Sequence, residues 1–326
     1  MIKKINILIT GITGQDGLFL TNELLKNNYV NIYGTSRKKN NSLFFSKLKY
    51  LNKNIDLDRV TLINSNLFNE KEVLDLLEKI KPDYIYNMSG PSSVYDSLIN
   101  SDLKKEIILI FDNLINSCIK LDIYPNFFQS SSSEMYGKNT ETILNENSEF
   151  LPNSPYGESK LLIHNRIGAI RKEHKWKLTS GIMFNHESEF RDSNYLFMKI
   201  INYAINIGKQ DDKLILGSLE LKRDWSYAKD IAKAAILINE SYYNSDYVLG
   251  SGKSEKIEYI ANLAFQYFDL DFKDYIEVDE NILRSGDPLE RLSDPSKIKE
   301  DLGWKATTNT SLIIKKIITY KLSNRS

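Results

Sequence analysis

The side chains best suited to chemistry lie in Ser131-Ser132-Ser133-Glu134-Met135-Tyr136-Gly137 and, about twenty residues on, in Ser154-Pro155-Tyr156-Gly157-Glu158-Ser159-Lys160. Tyr156 and Lys160 stand at i and i+4, so a helix presents both on one face. A phenol of pKa about 10 is a poor base at neutral pH. A lysine ammonium one turn away favours the phenolate and lowers that value. The Ser132 hydroxyl can hold a substrate alcohol against the phenol oxygen. Together these groups take the proton from a carbinol while a hydride leaves its carbon. Glu134 adds a carboxylate base, which simple alcohol oxidation does not need.

A tyrosine–lysine pair at this spacing is also common on plain helix surfaces, so the chemistry requires a nicotinamide site upstream. Lys4–Thr10 is a short β-type run that enters Gly11-Ile12-Thr13-Gly14-Gln15-Asp16-Gly17, followed by a helical pattern through Leu18, Leu20, Leu24 and Leu25. Strand, glycine turn and helix in that order make a dinucleotide motif credible. Gly11 allows the tight turn, Gly14 a close approach to the pyrophosphate, and Gly17 close packing of helix on strand. The helix N-terminus then favours the anion. The next strand candidate, Val30–Ser36, carries none of the acids that bond a ribose 2′-hydroxyl. It runs instead into Arg37-Lys38-Lys39, which suits a 2′-phosphate. NADP(H) is therefore expected over NAD(H).

These residues resemble the extended short-chain dehydrogenase/reductases and, within them, the GDP-mannose 4,6-dehydratases. The opening Gly11–Gly17 is similar to that family's G-I-T-G-Q-D-G, and Arg37-Lys38 falls at its paired arginines. Phe184-Asn185-His186-Glu187-Ser188 and Lys222-Arg223-Asp224-Trp225 resemble its F-N-H-E-S and K-R-D-W. Leu302-Gly303-Trp304-Lys305 resembles its closing L-G-W-K. The resemblance implies catalytic roles for Ser132, Glu134, Tyr156 and Lys160. It implies a cofactor held by Gly11, Thr13, Gly14, Gln15, Asp16, Gly17, Arg37 and Lys38, with Asn66 and Leu67 at the adenine and Tyr156 and Lys160 at the nicotinamide end. For a GDP-sugar substrate it implies Ser92, Asn185, Lys199, Arg223, Arg284 and Asp287. Lys199 and Arg223 would neutralise the diphosphate, and Asp287 would accept from a ribose. His186 and Glu187 are expected to brace the loop after Asn185.

The chain departs from the family in several places. A-A-Q-S-H-V reads Ser89-Gly90-Pro91-Ser92-Ser93-Val94, which keeps Ser92 but replaces the glutamine by Pro91 and the histidine by Ser93. The catalytic threonine is Ser132, the adenine-site aspartate is Asn66, and R-P-T-E reads Arg284-Ser285-Gly286-Asp287. The resemblance implies a 4,6-dehydratase acting on GDP-mannose or a GDP-manno-heptose, in polysaccharide biosynthesis. A 4-keto sugar-nucleotide reductase or a 4-epimerase on the same scaffold is the competing reading. A dinucleotide-binding regulator without turnover would predict a broken Ser–Tyr–Lys set, and all three residues are present.

Alternating strand and helix patterns predict an α/β fold, a Rossmann-type doubly wound parallel sheet. Its strands are expected at Ile5–Thr10, Val30–Gly34, Val60–Asn64, Tyr84–Asn87, Phe127–Ser130 and Leu178–Phe184. Residues 1–184 form the expected NADP-binding domain. Residues 185–326 form a smaller C-terminal substrate lobe, with some strands returning to the first domain. Asn153-Ser154-Pro155 predicts a helix cap with proline at the first helical position, just before Tyr156. The 326 residues carry 43 basic and 43 acidic side chains, so no global charge draws the chain to nucleic acid or membrane. The single cysteine, Cys118, excludes an internal disulfide framework, and it falls in an apolar helical pattern with Ile110 and Leu114. His164, His174 and His186 show no metal-ligand pairing, so no metal is expected. There is no apolar run of 18 or more residues and no signal-peptide pattern. A cytoplasmic homodimer or homotetramer is expected, pairing through the stretch from Ile107 to Leu121 and the helix of Tyr156 and Lys160.

Overall fold

A computed structural model describes residues 4–37, 41–100, 102–208, 212–283 and 286–324. The chain opens as β1 (Ile5–Thr10), α1 (Gln15–Leu24), β2 (Val30–Ser36), α2 (Ser42–Leu51), β3 (Val60–Asn64), α3 (Glu70–Ile80) and β4 (Tyr84–Asn87). It continues through α4 (Val94–Ile99), α5 (Asp102–Lys120), β5 (Asn126–Ser132), a short β6 (Ile143–Leu144), α6 (Pro155–His174) and β7 (Leu178–Met183). Then follow β8 (Asn185–Glu187), α7 (Leu196–Ile205), β9 (Leu214–Leu216), β10 (Lys222–Tyr227), α8 (Ala228–Glu240) and β11 (Asp246–Leu249). The last elements are β12 (Ser254–Lys256), α9 (Ile257–Gln266), β13 (Ile276–Val278), β14 (Glu290–Ser293), α10 (Ser296–Leu302) and α11 (Thr310–Ser323).

Two compact units emerge. The first holds the chain up to Gly137 together with Glu149–Met183 and Ala232–Tyr247. Its frame is a sheet in the order β11-β7-β5-β4-β1-β2-β3. The pairs β1–β2, β2–β3, β1–β4, β4–β5 and β5–β7 are parallel. Strand order reverses between β1 and β4, and in such sheets ligands bind beyond the carboxyl ends of the strands at that point. The helices pack by their apolar stripes. In α3 the stripe is Val73, Leu76, Leu77 and Ile80, all buried at helical spacing. Asn69 caps that helix by accepting from the Lys71 N–H at 3.1 Å. Phe111, Leu114 and Ile163 from α5 and α6 join Ile85 and Phe127 from the sheet in one core cluster. Cys118 is fully buried there, and burial pushes its thiol up to about 12, which leaves it no nucleophilic character.

The second unit holds Lys138–Ser148, Phe184–Ile231 and the chain from Val248. Its larger sheet runs β12-β10-β14-β6, with β8 also paired to β10, and β13 pairs with β9. Helices α7, α9 and α11 pack on one another. The Asp230 carboxylate accepts from the backbone N–H of Thr307 and Thr308 at 3.0 and 2.9 Å, and the Trp304 indole donates to the Asp230 carbonyl at 3.1 Å. The closing Leu302–Lys305 string thus anchors the C-terminal segment to the start of α8.

Candidate active site

The first unit builds its site from the glycine turn upward. Gly11 has φ +66°, and a Cβ there would lie 2.8 Å from the Met88 carbonyl oxygen. A Cβ on Gly17 would lie 2.6 Å from Ile12 Cα, so only glycine lets α1 press on the end of β1. Gly14 occupies the N-cap position of α1 and brings no side chain to it. The backbone therefore forms a bare cradle at a helix N-terminus, which fits a pyrophosphate. Thr13, Gln15 and Asp16 are half-buried around it. Arg37 follows β2 and is exposed, whereas Lys38 lies outside the described residues. Asn66 is exposed and accepts from the Phe68 N–H at 3.1 Å. Leu67 is buried in the core, and its carbonyl accepts from the Asn113 amide at 2.8 Å.

The catalytic candidates stand on β5, the short turn after it and the first turns of α6. Ser132 is the last residue of β5, and its hydroxyl oxygen accepts from the Glu134 N–H at 3.2 Å. That leaves the hydroxyl proton to donate elsewhere. Ser154 caps α6, accepting from the Gly157 N–H at 3.1 Å, and Pro155 takes the first helical position. The Tyr156 N–H donates to the hydroxyl of buried Ser97 on α4, at 3.3 Å. A Cβ on Gly157 would lie 2.5 Å from the Glu134 carbonyl oxygen, so glycine lets the first turn of α6 close onto the turn that carries Glu134. Lys160 is buried, 5.6 Å from the Tyr156 ring centroid, and donates to the Ser130 carbonyl at 2.8 Å. Burial pushes its ammonium down from an ordinary 10.5 to about 8, with the Asp16 carboxylate pulling the other way. The effect of Asp16 also puts the glycine turn within electrostatic range of Lys160.

Ser92 is exposed in the loop after β4, and Ser93 caps α4 by accepting from the Asp96 N–H at 3.1 Å. The position where the family has histidine thus does a helix-capping job in this chain.

In the second unit the two motifs beginning at Phe184 and Lys222 become neighbouring strands. β8 and β10 pair in parallel with Asn185 opposite Trp225 and Glu187 opposite Tyr227. Asn185 is exposed, as is Lys199 on α7. His186 Nδ1 lies 2.8 Å from the Phe184 carbonyl, and buried Glu187 lies 3.6 Å from the Arg191 guanidinium, so both side chains brace the loop. Arg223 is ion-paired with Asp287 at 2.8 Å and donates to the Pro288 carbonyl at 3.0 Å. The two residues read from the sequence as separate substrate contacts thus stand side by side. Arg284 lies outside the described residues. Beside Arg223, buried Asp224 accepts from the Ser251 and Gly252 N–H groups at 2.8 and 2.9 Å. It ties β10 to the turn before β12, a role the sequence alone did not reveal.

A profile of the GDP-mannose 4,6 dehydratase family matches residues 8–317. The chain belongs to the GDP-mannose 4,6-dehydratase family. It is 31% identical over 320 residues to GDP-mannose 4,6 dehydratase 2 of Arabidopsis thaliana, covering 95% of this chain and 85% of that one. Dehydratases of this family are hydro-lyases. Solved structures of 4-epimerases share the fold. The UDP-N-acetylglucosamine 4-epimerase from Methanobrevibacter ruminantium M1, in complex with UDP-N-acetylmuramic acid, superposes with a TM-score of 0.84 at 23% identity, over 99% of both chains. The UDP-glucose 4-epimerase from Bifidobacterium longum, in complex with NAD+ and UDP, gives 0.85 at 16% identity, over 98% of this chain and 99% of that one. Among the described residues no group of three or more His, Cys, Asp or Glu is placed to hold a metal ion, and no helix is long and apolar enough to cross a membrane.

Proposed function

We propose that this chain converts GDP-mannose, or a GDP-manno-heptose, to its 4-keto-6-deoxy product with NADP(H) as a resident cofactor. The observation that carries the reading is the closure of α6 onto the turn of Glu134. Gly157 meets the Glu134 carbonyl while Lys160 of the same helix holds Ser130, which supports reading the Tyr156 phenol and the Glu134 carboxylate as two bases of one site. The bare cradle at Gly11, Gly14 and Gly17 would hold the pyrophosphate, with Arg37 and Lys38 toward a 2′-phosphate and Lys160 toward the nicotinamide ribose. A bound nicotinamide would supply a hydride acceptor for C-4 of the sugar and a hydride donor for C-6.

Ser132 holds the C-4 hydroxyl against Tyr156, and Tyr156 accepts its proton with the Lys160 ammonium favouring the phenolate. The resulting ketone acidifies C-5. Glu134 removes the C-5 proton, and water leaves from C-6. Each base must lie within hydrogen-bond reach of its proton. Ser92, Asn185, Lys199, Arg223, Arg284 and Asp287 are assigned to the sugar nucleotide, with arginine suited to bidentate contact with phosphate. We further take the enzyme as a cytoplasmic homodimer or homotetramer serving polysaccharide biosynthesis. Incubating purified protein with a panel of nucleoside-diphosphate sugars tests the reading. A product lighter by one water, from a GDP-sugar and without net cofactor consumption, supports it. Turnover that consumes reduced cofactor, or an isomer of unchanged mass, would replace it by the reductase or epimerase.

A further inference from the structure

Thr10, Asn87 and Gln129 form a polar row across three adjacent strands. Thr10 is in register with Asn87 at the end of the β1–β4 pairing, and Asn87 with Gln129 at the end of the β4–β5 pairing. Their relative exposures are 0%, 1% and 1%, in the middle of a sheet whose other central side chains are largely apolar. Buried polar groups are costly to leave unpaired, so such a row persists only if it is satisfied. It is satisfied sideways. The Thr10 hydroxyl donates to Asn87 Oδ1 at 2.6 Å, Asn87 Nδ2 to Gln129 Oε1 at 2.8 Å, and Gln129 Nε2 to the Ser130 carbonyl at 2.8 Å. The Ser89 N–H enters the other end, donating to the Thr10 hydroxyl oxygen at 3.3 Å. Every bond points the same way, the arrangement in which neighbouring hydrogen bonds polarise one another.

The row ends on the carbonyl that receives Lys160 Nζ, also at 2.8 Å. Pairing with β4 stops at Gln129, so Ser130 lies one residue past that ladder. A carbonyl oxygen offers two lone pairs, enough for both Gln129 and Lys160. At its start the row adjoins Gly11, whose missing Cβ leaves room for Met88 and Ser89. We propose that Gln129 is a positioning residue for Lys160, and that the row from Thr10 through Asn87 fixes the Ser130 carbonyl, and with it the ammonium beside Tyr156, relative to the dinucleotide turn. Amides do not ionise in this range, so the row holds the ammonium and does not relay protons.

The assignment rests on the dehydratase reading, because Lys160 is significant only if Tyr156 takes a proton. The test replaces the amide by a side chain of similar length without a donor, Gln129→Met. Single-turnover reduction of bound NADP+ by a sugar nucleotide is followed by absorbance, in the unmutated background and in Lys160→Met. Gln129→Met should slow reduction about ten- to a hundredfold in the first and less than about threefold in the second, because residues acting through one contact are not additive. In the crystal structure of Gln129→Met, the distance from Lys160 Nζ to the Ser130 oxygen should exceed about 3.5 Å. Equal slowing in both backgrounds, no slowing at all, or a Lys160–Ser130 bond still at its present length would overturn the proposal. If Gln129→Met does not fold, Thr10→Val breaks the far end of the row and gives the same comparison. No reduction by the unmutated protein would count against the dehydratase reading itself.

Discussion

In the proposed mechanism Lys160 meets two opposed demands. Burial disfavours its ammonium, whereas the Tyr156 phenolate needs that charge. A fall from 10.5 to about 8 corresponds to about 3 kcal/mol against the folded chain. The penalty is complete below pH 8, where the folded and unfolded chains both carry the proton. It disappears as pH rises from about 8 toward 10.5, because there the unfolded chain binds more protons than the folded one. Lys160→Met should therefore stabilise the cofactor-free chain at pH 7 by about 1–3 kcal/mol while it leaves only a slow, still measurable reduction of NADP+. Urea unfolding at pH 7 and pH 10 checks this, and a stability gap that does not shrink at pH 10 contradicts it. The two proposed bases separate in the same way. Tyr156→Phe should stop every step, since the carbinol proton must leave first. Glu134→Gln keeps the shape and removes only the C-5 base, so water loss should slow by about a hundred- to ten-thousandfold while the first reduction survives. Dehydration by Glu134→Gln at the unmutated rate would remove the carboxylate from the mechanism.

At the scale of elements, two glycines of one region have opposite prospects. Gly137 sits at φ +48°, and a Cβ there would lie 1.9 Å from the Leu151 carbonyl oxygen, so Gly137→Ala should cost about 2–4 kcal/mol. Gly168, inside α6, has no neighbouring atom within 4 Å of an added Cβ, so Gly168→Ala should stabilise by about 0.5–1 kcal/mol. Denaturant midpoints of both variants decide, and equal shifts of the same sign would show that local geometry does not govern these sites. What was legible follows the same division between local and distant causes. The glycine turn, the Ser154 cap and the Tyr156–Lys160 pair depend on residues within two turns of one another, and the pattern shows them. The strands at Ile5–Thr10, Val60–Asn64 and Tyr84–Asn87 and the helix at Glu70–Ile80 were plain because their apolar spacing is regular. β11 and α8 did not stand out: they follow the looser stretch after residue 185, and β11 joins the first sheet only by pairing at its edge beside β7, far from its own neighbours in the chain. The row from Thr10 to Gln129 needs the register of three strands, and the Arg223–Asp287 pair joins residues far apart in the chain. No spacing rule reaches either. Gly157 was in view, but its reason, contact with Glu134, exists only after folding.

At the scale of the whole molecule, two expectations concern what the chain binds. Arg37 is exposed just beyond β2, so Arg37→Ala should weaken NADP(H) about ten- to a hundredfold, the worth of one charge-assisted contact, and NAD(H) far less. Equal affinity of the unmutated protein for both cofactors contradicts the assignment. Helices α4, α5 and α6 leave Leu98, Ile99, Leu109 and Leu162 exposed, which suits pairing of two copies about a twofold axis. Light scattering at micromolar concentration should give a dimer or tetramer, and a monomer would remove that expectation. The central claim is that one site oxidises C-4, eliminates water across C-5 and C-6, and reduces C-6 without net change in the cofactor. It is tested most directly with GDP-mannose carrying deuterium at C-4, using unmutated protein and a trace of NADP+. Mass and NMR spectra of the product should place that deuterium at C-6 of a 4-keto-6-deoxy sugar. Deuterium lost to the solvent or to added cofactor, and never found at C-6, would contradict the account.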